Sequence, residues 1–168
     1  MAARAIIGIA LGILFAPIIA MLLLTIGYSY TFSSFFWGLF GGDFMGGLNL
    51  YLYSGLIAME APIIGSGGLI DGLGSGSLLT DFLPNYLPSL FTFGILGMWA
   101  GAIERSPGRG AGVAAGIWIG WMIIGIIFFL VVGVAAIIVD WLLACLLTLI
   151  VAVLAGVIVG VMTKSEEF

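Results

Sequence analysis

The stretch AGVAAGIWIGWMIIGIIFFLVV, residues 111–132, runs for twenty-two residues without a charge, and its only polar atoms outside the backbone are two indole nitrogens. About 20 apolar residues, rising 1.5 Å each in a helix, span the hydrocarbon core of a bilayer. The stretch therefore predicts a transmembrane helix from about Ala111 to Val132. Immediately before it stand Glu104, Arg105, Ser106, Pro107, Gly108, Arg109 and Gly110, where charge and turn-forming residues interrupt the apolar pattern. They read as a tight connection between antiparallel helices.

Moving outward, the pattern repeats. Leu83 to Ile103 predicts a second span on the N-terminal side, with Asp81 placed to cap it and Pro84 and Pro88 confined to its first turns, where proline is best tolerated. Ala5 to Gly27 predicts a span near the start of the chain, kinked by Pro17 and longer than the apolar core of a signal peptide. On the C-terminal side, Trp141 to Met162 predicts a fourth span with Asp140 as its cap, although apolar Gly133 to Val139 makes that boundary soft. Residues 163–168 are left as a polar tail.

Composition agrees with this reading. Hydrophobic residues make up 63% of the 168 and charged residues 7%, with a mean hydropathy of +1.36, whereas soluble domains carry roughly a quarter charged residues. The expected fold is an all-α integral membrane protein, a single domain with a four-transmembrane-helix bundle. Arg4, Arg105, Arg109 and Lys164 are all of its basic residues, and the four spans put every one on the same side. Short cytoplasmic loops are enriched in Lys and Arg, so both termini are expected to be cytoplasmic in a cell membrane. Asp43, Glu60, Asp71, Asp81 and Asp140 then face outward. A fifth crossing between Gly46 and Ile64 would break this agreement.

The segment 28–82 that joins the first two spans is too apolar for a solvated loop. Tyr28, Tyr30, Phe32, Phe35, Phe36, Trp37, Phe40 and Phe44 have the aromatic density of an interfacial belt. Leu48 to Pro62 suits a short interfacial helix or a re-entrant piece, and Gly65 to Ser77 is Gly/Ser-rich and expected to be irregular. Lipid-exposed irregular backbone is prohibitively costly, so this segment must pack on protein or lie at the water interface.

Small residues recur at four-residue spacing: Gly8 and Gly12; Gly97 and Gly101; Gly112, Gly116 and Gly120; Ala152, Gly156 and Gly160. Such stripes let two helix backbones approach closely, within one chain or between subunits. Trp37, Phe40 and Glu60 are the candidate partner-docking residues of the outer segment. Asp140 reads as a cap and Glu104 with Arg105 as an interfacial pair. The tryptophans Trp99, Trp118 and Trp121 read as packing or interface anchors rather than a pigment or quinone site.

Several functions lack their chemistry. The chain has no histidine, which removes imidazole-ligated haem, histidine metal sites and histidine general-base catalysis. Lone Cys145 lies in an apolar run and reads as a small core residue. The glycine-rich stretch 65–76 lacks the Lys-Ser/Thr ending of a phosphate loop. Within the spans the serine and threonine side chains are Thr25, Ser89, Thr92 and Thr148, each able to bond back to its own helix, and no carboxylate, lysine or amide stands mid-span to carry an ion. Eight acidic and four basic residues form no nucleic-acid footprint. No cofactor or metal is expected, nor catalysis. The expectation is a non-catalytic accessory subunit of a larger membrane complex, in contact with lipids and other membrane subunits. The alternative is a homo-oligomeric pore or lipid-organising protein assembled through the small-residue faces.

Overall fold

A computed structural model of the chain describes residues 2–27, 40–61, 69–133 and 138–164. Among them there is no strand. The elements are α1 (Ala2–Gly27), α2 (Phe44–Met59), α3 (Leu69–Ser75), one π-helical turn (Leu78–Phe82), α4 (Leu83–Glu104), α5 (Pro107–Val132), α6 (Ile138–Ala144) and α7 (Leu146–Met162). Four stretches are long and apolar enough to cross a membrane: Ala3–Leu23, Asn85–Glu104, Pro107–Val132 and Ile138–Met162. Between 22% and 39% of each is buried inside the protein, and exposed large apolar side chains such as Ile6, Leu14, Phe91, Ile123, Leu154 and Ile158 recur along them. A surface of that extent suits lipid and not water.

The long helices pack through small residues. A methyl group at Gly97 would overlap the Ala152 backbone, and one at Gly101 would overlap Gly156 and Gly160, so α4 and α7 run side by side in the same direction with their backbones in contact. Gly8 meets Val113, Gly12 meets Ile117, Gly116 meets Ile9 and Gly120 meets Ile13, which sets α1 and α5 parallel. These registers bring Arg4, Arg105, Arg109 and Lys164 to one end. The core between the helices holds Phe93, Leu96, Ile117, Trp118, Trp121, Cys145 and Ala152.

Several boundaries differ from the sequence reading. The connection after α4 is only Arg105 and Ser106, because Pro107 starts α5 at a position where its missing N–H costs nothing. The fourth span starts at Ile138 and not at Trp141, since apolar Ile138 and Val139 extend it, and this puts Asp140 inside its first turn instead of before it. A carboxylate there still favours the positive end of the helix. Within the supposedly irregular stretch 65–77, residues Leu69–Ser75 are helical. Asp81 lies within the π-helical turn that leads into α4.

The α6–α7 span has one irregularity, at Cys145. Its N–H is shared between the carbonyls of Trp141 (3.0 Å) and Leu142 (3.3 Å). The Cys145 carbonyl in turn accepts the Trp118 Nε1–H at 3.1 Å. An irregular turn in an apolar setting survives only where its backbone groups find such partners.

Candidate functional site

Helix α2 is the element that the four spans do not explain. It begins at Asp43, whose side chain accepts the Gly46 N–H at 3.0 Å as an N-cap. Its buried side carries Gly47, Ser54, Gly55, Leu56, Ala58 and Met59. Gly55 is the closest approach: a side chain there would overlap the Trp121 ring.

The contacts of α2 reach far down the long helices. Tyr51 Oη donates to the Leu14 carbonyl, about half-way along α1. Trp121, about half-way along α5, donates its Nε1–H to the Ile13 carbonyl at 3.1 Å. The reason is local: Pro17 has no N–H with which to bond the carbonyl four residues before it, and the indole fills that vacancy. Tyr51 and Trp121 stand against one another, ring centroids 6.4 Å apart.

The C-terminal end of a helix leaves its last carbonyls without intrahelical partners. In α2 two hydroxyls from other helices supply them. Ser89 of α4 donates to the Ile57 carbonyl at 3.0 Å, and Thr148 of α7 lies 2.9 Å from the Met59 carbonyl. The Thr148 hydroxyl also lies 2.7 Å from the Cys145 carbonyl and 3.2 Å from Trp118 Nε1, so one buried node ties α2, α5 and α7 together. Beyond the helix end, Ala61 N–H bonds the Ala144 carbonyl at 2.9 Å. Ser89 and Thr148 therefore do more than bond back to their own helices, as Thr92 does with Pro88 at 2.8 Å.

The opposite side of α2 is open. Phe40 is 74% exposed, Phe44 60%, Met45 69% and Tyr53 58%. Gly46, Asn49, Leu50 and Tyr53 of α2 form, with Phe128 and Val132 near the end of α5, a shallow groove of about 490 Å³. Two of the three docking candidates are described here: Phe40 precedes α2, while Glu60 caps its far end, its backbone N–H bonded to the Ile57 carbonyl. The helix between them is 16 residues, so roughly 24 Å separates them and they form no common site. Trp37 and the aromatics 28–36 lie outside the described residues. Glu60 is half-buried, and burial pushes its carboxyl above the ordinary range.

The small residues singled out from sequence fall inside the protein with one exception. Gly8, Gly12, Gly97, Gly101, Gly116, Gly120, Gly156 and Gly160 all face neighbouring elements of the same chain, and Ala152 is buried against Gly97. Gly112 faces open space. Gly110, between Gly101 and Gly156, belongs with the packed set, and its place in the charged connection had concealed it. Trp118 and Trp121 are buried and hydrogen-bonded within the chain. Among the described residues no three of Cys, Asp and Glu come together as a metal site.

No protein family, curated protein or solved structure matches this chain.

Proposed function

We propose that the chain is a non-catalytic subunit of a larger integral membrane complex. In this reading it crosses the cell membrane four times with both termini cytoplasmic, and the open side of α2 receives a neighbouring subunit. One observation carries the proposal. Phe40, Phe44, Met45 and Tyr53, together with Ile70, Leu73 and Leu79, are large, apolar or aromatic and exposed, yet they lie outside the four candidate spans. Lipid is the natural cover for the spans. Phe40, Phe44, Met45 and Tyr53 sit on or beside α2, which three side-chain hydrogen bonds, through Tyr51, Ser89 and Thr148, fasten to the long helices, and so they present a preformed surface.

The homo-oligomeric alternative draws less support, because the faces it would use are occupied within the chain. Of the small-residue candidates only Gly112 is free to meet a second copy.

Extraction in a gentle detergent followed by native mass spectrometry tests the reading. The expected species is heavier than the 17.6 kDa chain by an amount that is not an integer multiple of it, and Tyr53→Lys releases the extra mass. A ladder of integer multiples of 17.6 kDa, or an adduct indifferent to Tyr53→Lys, overturns it.

A further inference from the structure

At the opposite end of the molecule from α2, the first turns of α1 and the last turn of α4 enclose a groove of about 500 Å³. Its α1 wall is Arg4, Ile7, Gly8 and Leu11, and its α4 wall is Ala102, Ile103 and Arg105. The spacing 4, 7, 8, 11 is one face of a helix, so a guanidinium stands at the top of an apolar strip that continues about 10 Å down α1. The second guanidinium comes from the other wall. Ile7 and Leu11 are exposed, as are Arg4 and Arg105. Among the described residues neither arginine is engaged in an ion pair. Glu104, the nearest acid in sequence, does not line the groove.

Arg105 is unusual in its backbone as well. Its φ of 48° places it in the left-handed region, the only described residue other than glycine to adopt it. Glycine or asparagine would meet that conformation at lower cost, and a bulky side chain held there is often one that serves a site.

We infer that this groove binds one anionic phospholipid, its headgroup phosphate between Arg4 and Arg105 and an acyl chain along Ile7 and Leu11. Charge complementarity selects the anion, and the apolar strip selects a lipid over free phosphate. Basic pockets between membrane helices on the cytoplasmic side take anionic headgroups in this way. The inference needs membrane insertion but not the partner subunit, so failure of the co-purification experiment above leaves it standing.

The test is native mass spectrometry of the purified full chain, released from detergent containing phosphatidylglycerol or phosphatidylcholine of matched acyl chains. One phosphatidylglycerol should be retained in preference to phosphatidylcholine by on the order of tenfold, given two cations at the headgroup. Arg4→Gln with Arg105→Gln should abolish the preference, whereas Arg109→Gln with Lys164→Gln, the same loss of charge outside the groove, should keep it. Ile7→Trp, which fills the strip without changing charge, should lower retention of the lipid. Equal retention of the two lipids overturns the inference. So does competition by millimolar inorganic phosphate as strong as that by lipid, or equal loss of preference in both double variants. If the Arg4/Arg105 variant does not fold, Ile7→Trp decides alone: undiminished retention in that variant overturns the inference.

Discussion

Gly97 and Gly112 occupy similar places in the sequence, each the head of a four-residue small-side-chain stripe, yet their surroundings are opposite. An alanine at Gly97 would overlap the Ala152 backbone, and one at Gly112 would meet nothing within 4 Å. Overpacking between backbones costs about 1–3 kcal/mol, and alanine gains up to about 1 kcal/mol over glycine in an unobstructed helix. Gly97→Ala is therefore expected to lower the unfolding midpoint in denaturing detergent and Gly112→Ala to leave it unchanged or raise it. A sequence stripe shows that two backbones can meet but not which stripe is used; that depends on the partner helix. Glu60 offers a second test at this scale. Its carboxyl titrates above the ordinary value of 4.5 because burial disfavours the charge. The protonated form is thus the one the fold prefers, and stability rises as pH falls through the raised value, the gain being complete below 4.5. Glu60→Gln should melt above the wild type at pH 7, with the difference shrinking as the pH approaches 4.5. A wild type that is the more stable at pH 7 would show that Glu60 is held as a charge.

At the scale of elements, the four long helices were legible because an uncharged run of about 20 residues has few other solutions. Their ends were less so, since Pro107 starts a helix as readily as it ends one and Ile138 extends one silently. Helix α2 was legible only as an apolar segment needing cover. What covers it are hydroxyl and indole groups 32 to 89 residues away, such as Ser89 on Ile57 and Thr148 on Met59, and no local pattern announces a pairing at that separation. Thr148→Val keeps the shape of the side chain and removes the donor, leaving the buried Met59 carbonyl without it at a cost of about 1–3 kcal/mol. Hydrogen exchange of the α2 amides is expected to quicken in this variant while α5 stays protected. Unchanged exchange throughout α2 would show that the Thr148 node does not hold it.

On the scale of the whole molecule, the two ends differ in kind. One end gathers Arg4 and Arg105 on a groove, with Arg109 and Lys164 nearby through the packing of Thr163 on Gly101. The other carries α2 with the exposed side chains of Phe40, Phe44, Met45 and Tyr53. The proposed function requires a membrane between them, with four crossings placing the basic end inside. Gly74 and Gly108 serve as reporters because a side chain at either meets nothing within 4 Å, while the native Cys145 is fully buried and silent. A membrane-impermeant maleimide applied to intact cells is expected to label cysteine at position 74 and to reach cysteine at position 108 only after the membrane is opened. Labelling of both positions from the same side would contradict the four-crossing arrangement on which the docking surface and the lipid groove both depend.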